Sequence, residues 1–335
     1  MFASVLLALC ASPASAESVA DFYRGKTITC YIGYEAGGGY DLYARTISKH
    51  IGKHIPGNPS VTPVNKPGAS SMVLANFLAK LAPRDGTAIG AVNSALLFDP
   101  LFSGADSKAQ FTGPDMTTIG NAISSASVLI SWKTSGITSF EDLKQKELLI
   151  GATSRTGDTY LMPWAVKKVL GVNLKIITGY PGTREAALAL ERGEISGRVW
   201  DMEGIKSARP QWLTDGSINL LAQLAPQKMP EVPATVPLVK DFVANEDDRR
   251  VLDVIFLSTT LARPYIAPPG IPTERAKALR DAFMATMKDP EFLADMERNK
   301  LAVDPTSGED MEKAVRDAYA LPDAIIQKVR KTLAD

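Results

Sequence analysis

The sequence lacks an excess of charge of either sign, since its 335 residues include 37 Lys and Arg and 37 Asp and Glu. Without a net positive field, nothing holds a polyphosphate backbone, so nucleic acid is not expected as a partner. The chain also has no internal repeat and no low-complexity segment. With 45% hydrophobic and 22% charged residues, it is long enough for two globular domains, each with its own core.

Side chains typical of catalysis are scarce. The only two histidines, His50 and His54, stand four residues apart in "KHIGKH", where they could share a helix face and bind a metal. Gly52 between them, the flanking lysines and the lack of an obvious third ligand favour a solvated helix end. No Gly-x-Ser-x-Gly segment supports a Ser/His/Asp hydrolase. We therefore expect neither a catalytic site nor a metal site.

Long apolar runs are missing apart from the N-terminus. The first sixteen residues, "MFASVLLALCASPASA", carry no charge, and "ASA" at 14–16 has the form that signal peptidase accepts. This pattern predicts a signal peptide at 1–16, too short to span a bilayer, with cleavage after Ala16. A basic segment at its start is absent, and Leu9 disfavours lipoprotein cleavage at Cys10. We expect export to the periplasm as a soluble protein.

Cysteine is nearly absent. Cys10 would leave with the signal peptide, and the remaining Cys30 could then form no internal disulfide. Because Cys30 lies within the apolar alternation of the first predicted strand, we expect a buried and inert thiol.

Strands and helices alternate along the chain, which predicts an α/β fold with parallel sheets and right-handed crossovers. "TITCYIGY" is the first predicted strand, since alternate residues from Ile28 to Tyr34 are apolar. The second strand, "SVTPVN", precedes the turn "KPGAS", and the third is "TAIGAVNS". The inward faces of the two intervening helices are predicted to contain Leu42, Ile47, Ile51 and Ile55, and Val73, Leu74, Phe77, Leu78 and Leu81, respectively.

A second α/β series follows in the middle of the chain. Its predicted strands are "SASVLISW", "ELLIGATS", "NLKIITGY", "EISGRVW" and "INLLAQ", with helices at 159–170 and 183–192. The chain then passes "FLSTTLARPYIAPPG" and ends in helices without further strand-helix repetition. These final helices are predicted to begin at Pro272, Pro290, Ser307 and Pro322.

The end of the strand-helix repetition suggests that the chain crosses to a second domain near Ile123 and returns near Phe256. We expect residues 17–123 and 257–335 to form a discontinuous first lobe. Residues 124–256 would form the second lobe. Each lobe is expected to be a mostly parallel sheet flanked by helices.

The glycine loop "AGGGYD" lies between the first strand and its helix, at the sheet edge where α/β proteins bind ligands. It has neither the Lys and Ser/Thr of a phosphate loop nor the dinucleotide pattern. Free N–H groups at a helix N-terminus favour a carboxylate or another anion. Asp41 fits as N-cap of that helix, and Gly38 is expected to need either a positive φ or a close approach. A tight turn without a ligand remains the alternative.

Two similar loops follow in the second series. "GATSRTGDTYLMPW" places Thr153, Ser154, Thr156 and Gly157 between a strand and a helix, and "GYPGTREAA" forms a third turn at 180–183. If these helix N-termini converge from two facing lobes, they make a cleft suited to an acid.

Several segments together carry a family resemblance. "AGGGYD", "NKPGAS" and "APRDGT" are similar to the patterns A-G-G-x-x-D, N-x-P-G-A and A-P-x-G-x-T, and "GYPGTREAALALERGEISG" is similar to Y-x-G-x-x-x-A-x-x-A-L-x-x-G-x-V. These patterns, with "PPGIPTERAKALRDAF" and "KDPEF" near the C-terminus, occur in this order in the extracytoplasmic solute receptors of tripartite tricarboxylate transporters, also called Bug proteins. The chain resembles that family over nearly its whole mature length.

The resemblance implies a two-lobed periplasmic-binding-protein (Venus flytrap) fold that closes on a carboxylate-bearing solute. It also implies delivery of that solute to a large and a small membrane subunit of the transporter. In the family, the first loops of both lobes grip carboxylate oxygens, partly through ordered water. The ligand-binding residues that it implies or that we add from "GRVWDMEG" are Ala36, Gly37, Gly38, Gly39, Tyr40, Asp41, Thr153, Ser154, Gly157, Asp158, Tyr180, Gly182, Trp200 and Asp201.

The chain departs from the family pattern at charged positions. Asp158 replaces a small hydroxyl residue, and Asp201 lies in a variable segment. Arg155 could pair with Asp158 or with an acid of the ligand. If either aspartate faced the cleft unpaired, a dianion would be repelled, and a zwitterionic or hydroxylated ligand would be favoured.

The sequence as a whole predicts a monomeric, non-enzymatic binding protein that needs no cofactor. A sensor or signalling receptor with the same cleft, but without a transport partner, is the first alternative. A small-molecule enzyme is the second alternative, and it would need a set of catalytic residues that the sequence does not show.

Overall fold

The computed structural model describes residues 17–334, so the predicted signal peptide and Cys10 lie outside the described residues. Two β-sheets with flanking helices form the fold. In chain order the strands are β1 (Thr27–Ile32), β2 (Ser60–Asn65), β3 (Ala88–Ala91), β4 (Thr117–Asn121), β5 (Ser127–Trp132), β6 (Leu148–Gly151), β7 (Leu174–Ile177), β8 (Gly197–Asp201), β9 (Ile218–Leu224), β10 (Pro264–Ala267) and β11 (Thr306–Ser307). The helices are α1 (Val19–Tyr23), α2 (Gly39–Ile51), α3 (Met72–Lys80), α4 (Asp99–Ser103), α5 (Asp158–Leu170), α6 (Thr183–Glu191), α7 (Met202–Ala208), α8 (Glu246–Phe256), α9 (Thr273–Thr286), α10 (Pro290–Arg298), α11 (Gly308–Tyr319) and α12 (Asp323–Leu333).

The strand order is β11-β4-β10-β3-β1-β2 in the first sheet and β7-β6-β8-β5-β9 in the second. β1 pairs in parallel with β2 and β3, and β6 pairs in parallel with β7 and β8. β5 is the first strand of the second sheet, and β10 is the strand at which the chain returns to the first sheet. Each of these two strands is antiparallel to both of its neighbours. Most strands of each sheet therefore run in one direction, which confirms the predicted fold class.

The chain leaves the first sheet after β4, enters the second at β5, and returns at β10. The lobe boundaries near Ile123 and Phe256 remain a prediction. β4 itself was not predicted, because Gly120 and the threonines beside it give the segment little apolar pattern. The ring of Phe283 packs where a side chain at Gly120 would stand, so a larger residue there would not fit.

The first strand-helix unit forms as predicted. Ile28, Cys30 and Ile32 of β1 are fully buried, and Ile47 and Ile51 of α2 pack in the same core cluster. The free thiol of Cys30 has its pKa raised to about 11 by burial, so it is protonated and unreactive at neutral pH.

α3 shows where the predicted inward face was wrong. Leu74 and Leu78 are fully buried, but Val73 is 47% exposed and Leu81 is 78% exposed. Residues 74 and 78 are one turn apart and share the face that packs on the sheet, whereas Val73 lies about 100° around the helix and Leu81 follows its last residue.

The C-terminal helices begin at or just after the predicted positions, with Pro272, Ser307 and Pro322 as N-caps and Pro290 as the first residue of α10. The last helix, α12, contacts α4, which follows β3, and also α5 and α8, which follow strands of the second sheet. None of the helices at 17–334 is long and apolar enough to cross a membrane.

Candidate functional site

The glycine loop begins at the end of β1 and leads into α2. Gly37 has φ +88°, a conformation that favours glycine, whereas Gly38 has φ −91° and is the N-cap. A side chain at Gly38 would stand 3.0 Å from the hydroxyl of Thr183, and one at Gly39 would stand 2.9 Å from the Arg263 guanidinium. Close approach therefore explains Gly38 and Gly39, and the backbone conformation explains Gly37.

The prediction that Asp41 is the N-cap of α2 was wrong, because Asp41 is the third residue of that helix. Its carboxylate accepts hydrogen bonds from the Gly37 N–H at 2.9 Å, from Arg45 Nε at 2.9 Å and from Asn65 Nδ2 at 2.8 Å. Burial alone would raise the pKa of Asp41, but these hydrogen bonds outweigh burial and hold the pKa below its usual value. Its charge fixes the glycine loop from within the first lobe.

Tyr40 lies in a stack of aromatic and cationic groups beside the glycine loop. The rings of Tyr34 and Tyr40 stack with centroids 4.5 Å apart, and the Arg263 guanidinium lies 4.6 Å from the Tyr40 centroid. The side-chain amide of Asn93 donates to the Tyr34 hydroxyl, and the Ser94 N–H donates to the Tyr40 hydroxyl. The stack thus joins the carboxyl ends of β1 and β3 with β10.

The β6–α5 loop of the second lobe meets the turn before α3 in the first. The Ser70 hydroxyl is hydrogen-bonded to the hydroxyls of Thr153 and Ser154, at 2.6 and 2.8 Å. Ser70 is one of three consecutive non-glycine residues with positive φ, at 69–71. Such strain, of about 1–3 kcal/mol a residue, is typical of functional sites. Sequence analysis missed Ser70, although it lies in "NKPGASS".

Asp158 is the first residue of α5, and its carboxylate accepts from Asn93 Nδ2 at 3.0 Å and from the Ser94 hydroxyl at 3.1 Å. Both donors follow β3, so these hydrogen bonds join the lobes. Burial, more than the nearby Asp201 charge, raises the pKa of Asp158. Arg155 packs instead over Tyr160, its guanidinium 5.5 Å from the ring centroid.

This environment predicts a pH-dependent effect of Asp158→Asn on stability. A carboxyl whose pKa is raised on folding makes the folded protein less stable as the pH rises from the unfolded value, about 3.9, through the folded value. The variant lacks this loss, so it should match the wild type near pH 3.5 and exceed it in free energy of unfolding at pH 7. Urea unfolding at both pH values measures the difference, and an equal deficit at both would contradict the assignment.

The third predicted loop, at 180–183, brings the N-terminus of α6 beside the glycine loop. Gly182 is the N-cap, and the Thr183 hydroxyl lies 3.0 Å from the position that a side chain at Gly38 would take. The ring of Tyr180, which is also a predicted site residue, packs beside Gly151 and against the core cluster that contains Ile195.

β8 supplies two charged groups, Arg198 near its start and Asp201 at its end. Arg198 is fully buried, donates from Nη1 to the Thr183 carbonyl at 2.9 Å, and its guanidinium lies 4.0 Å from the centroid of a Trp200 ring. Burial lowers its pKa to about 9, and its Nε has no hydrogen-bond partner in the described structure. Asp201 caps α7 and accepts from Arg263 of the first lobe at 2.9 Å.

Sequence analysis missed both arginines and both donors to Asp158. Arg198 lies within the strand pattern of "GRVW", and Arg263 lies in a segment with no periodic signal. Asn93 and Ser94 could have been found, because they directly follow the third predicted strand at the edge where ligands gather.

Thr183 lines three cavities. The inner cavity lies between Tyr40 and the two carboxylates, Asp158 and Asp201, and leaves about 10 Å³ for the centre of a water molecule. A second cavity of the same size lies beside Glu35. The outer cavity, of about 140 Å³, is lined by the groups Gly37, Gly38, Leu42, Thr183, Arg184, Ala187, Trp200, Ala208 and Arg209.

The two histidines join α2 to α10. His50 Nε2 lies 2.6 Å from an Asp295 oxygen, and His54 Nε2 lies 2.7 Å from an Asp289 oxygen. His50 is buried, so the expectation of a solvated helix end was wrong at that position. The pair fixes the helix that begins at the glycine loop.

One group of possible metal ligands occurs at 17–334, namely His50, Asp289 and Glu291, whose ligand atoms lie within 4.8 Å of one another. The ammonium of Lys53 lies 2.6 Å from both carboxylates. These ion pairs account for the acidic residues as part of the same helix contact.

A family model described as the tripartite tricarboxylate transporter family receptor matches residues 44–330. None of the curated proteins matches the chain. The match covers the second and third predicted loops, and the glycine loop at 36–41 precedes it.

Solved structures resemble the whole fold. The periplasmic binding protein BugD has a TM-score of 0.72 at 18% identity, over 92% of this chain and 98% of its own. An R. palustris protein determined with adipate has a TM-score of 0.70 at 19% identity, over 92% and 97%. MatC from Rhodopseudomonas palustris, with bound malate, has a TM-score of 0.69 at 15% identity, over 92% and 99%. At these identities the likeness shows the two-lobed fold.

Proposed function

The chain belongs to the tripartite tricarboxylate transporter receptor family, and on that basis we propose that it captures a small carboxylate-bearing solute between its two lobes. It would act in the periplasm and deliver the solute to a large and a small membrane subunit. The family consists of solute-binding receptors, and the structural relatives named above include proteins with adipate and malate. Export through a signal peptide at 1–16 is part of the proposal.

One observation carries it: three helices with glycine N-caps point at one gap. α2, α5 and α6 have Gly38, Gly157 and Gly182 as N-caps, and none of these has a side-chain cap. By contrast, α1, α7, α8, α10 and α11 are capped by Ser, Asp or Asn side chains. The remaining helices, α3, α4, α9 and α12, also have no side-chain cap, but their N-cap residue is Ser, Phe or Pro and not glycine. In α5 the Asp158 carboxylate already accepts from the Thr159 N–H at 2.8 Å. At α2 and α6, uncapped N–H groups and the positive ends of the helix dipoles favour an anion.

Hydrogen bonds between the lobes support closure around such a solute. Ser70 joins Thr153, the donors after β3 join Asp158, and Arg263 joins Asp201. A ligand that adds contacts only when these groups meet shifts the receptor toward its closed state.

Thermal unfolding of residues 17–335 against a panel of solutes tests the proposal. The panel contains mono-, di- and tricarboxylates, aromatic acids, amino acids and neutral analogues such as amides and alcohols. A ligand at about a hundredfold its Kd adds roughly 2.7 kcal/mol, which raises the Tm by several degrees. A shift confined to compounds with a carboxylate is expected. Shifts by neutral analogues alone, or by nothing in the panel, would contradict the proposal.

A further inference from the structure

The inner cavity differs from an ordinary carboxylate site in its charge. Asp158 and Asp201 both line it, and each raises the electrostatic cost of adding a further negative group. Oδ1 of Asp201 accepts from Gly204 and Arg263, whereas Oδ2 has no hydrogen-bond partner in the described part of the chain. The wall of this cavity therefore presents acceptors to whatever enters it.

The size of the cavity restricts the entering group. About 10 Å³ for the centre of a water molecule is enough for one water-sized group. A carboxylate has three heavy atoms and would also face two other carboxylates. An ammonium is close to a water molecule in size, carries donors only, and has the opposite charge.

The balance of buried charge points the same way. Three carboxylates, Asp158, Asp201 and Glu203, lie close to the two buried arginines, Arg198 and Arg263. The outer cavity adds two further cations, Arg184 and Arg209. Arg198 is fully buried and forms no ion pair within the described structure, and its Nη1 donates to the carbonyl of Thr183, which lines all three cavities. A zwitterion can place its ammonium beside the inner carboxylates and its carboxylate toward the outer arginines, whereas a dianion would bring a further negative group to Asp158 and Asp201.

We propose that the solute is a zwitterion, with an ammonium held at Asp158 and Asp201 and a carboxylate directed toward the glycine loop and the N-terminus of α6. The inference rests on the proposed function, which it narrows to amino acids and related compounds. The rest of the solute lies in the outer cavity of about 140 Å³, against the apolar wall of Leu42, Ala187 and Trp200. Di- and tricarboxylates without an ammonium should bind more weakly than a matching zwitterion.

Matched pairs of compounds test this on the wild-type protein. Isothermal titration compares L-leucine with 2-hydroxyisocaproate, L-phenylalanine with phenyllactate, and 4-aminobutyrate with glutarate. In each pair only the ammonium is replaced, by a hydroxyl or by a carboxylate. We expect the ammonium member of at least one pair to bind at least tenfold more tightly than its partner, and no deaminated partner to bind more tightly than its amine.

A variant and a matched control locate the effect. Asp158→Asn should lower the affinity for the amine at least tenfold more than it lowers the affinity for the matching hydroxy acid. Asp99→Asn is the control, because Asp99 is also buried and hydrogen-bonded by Ser103 and Ser107, but lines none of the three cavities. It should leave the preference unchanged.

The outcomes separate this inference from the proposed function. If a dicarboxylate or hydroxy acid binds the wild type as tightly as its amine, the inference is overturned and the receptor function stands. If no carboxylate of any kind binds, in these pairs or in the thermal panel, the proposed function fails and the inference falls with it.

Discussion

Replacing Gly157 with alanine is expected to weaken ligand binding at least tenfold while leaving the ligand-free fold intact. The new Cβ would stand 2.4 Å from the Ser70 hydroxyl and 3.0 Å from that of Thr153. Gly157 has φ −88°, which any residue adopts, so the cost comes from these close contacts, chiefly the shorter one with Ser70, and not from the backbone conformation. Because the Ser70 contact joins the lobes, the variant loses stability mainly in the closed state. A loss of about 1.4 kcal/mol of closure is tenfold in affinity, measured by titration.

A second substitution tests the cause. Ser70→Gly removes both atoms of Ser70 that the alanine would meet and suits the positive φ of 50° at that position. In a double-mutant cycle, Gly157→Ala should cost less affinity in the Ser70→Gly background than in the wild type. Equal losses in both backgrounds would mean that closure does not bring these loops together.

Replacing Arg263 with methionine is expected to lower the free energy of unfolding by about 3 kcal/mol, because a buried ion pair loses one partner. The Arg263 side chain is 3% exposed and the Asp201 side chain 15% exposed. At about 2 °C for each kcal/mol, the Tm should fall by roughly 6 °C. The double variant Arg263→Met with Asp201→Asn should recover part of this, since no carboxylate is then left unpaired.

An exposed ion pair provides the control. The side chains of Arg24 and Asp21 are 70% and 53% exposed, so Arg24→Met should cost less than about 1 kcal/mol. If Arg263→Met were as mild as this control, the ion pair between β10 and β8 would not form in solution, and the closed arrangement would lose one of its main contacts.

Local pattern was enough to predict most of the fold. Alternation in "TITCYIGY" and "SVTPVN" gave strands that the structure confirms as β1 and β2, and prolines preceded the final helices. Pairing direction depends on which strands become neighbours, so the antiparallel position of β5 and β10 was not predicted. The short strand β4 gave no signal, because small residues there make room for Phe283.

The sequence could predict the loops of the site but not the residues that contact them from the other lobe. A glycine loop between a strand and a helix has a local signature, and residues of all three predicted loops line the cavities around Thr183. Contacts between the lobes have no local signature in the sequence, because the partners are far apart along the chain. Arg263 donates to Asp201, and Ser70 is hydrogen-bonded to Thr153. Asp41 was assigned the wrong role, since a capping side chain and one at the third helix position look alike in sequence.

Amide hydrogen exchange with and without the tightest ligand of the panel tests the central claim, that the solute is held between the lobes by uncapped helix N-termini. The account predicts slower exchange in three segments, 36–41, 153–160 and 181–186, which contain the N–H groups before and within the first turns of α2, α5 and α6. The side-chain-capped first turns of α8, α10 and α11 should not change. Protection that spares the three segments, while a ligand is bound, would contradict the account.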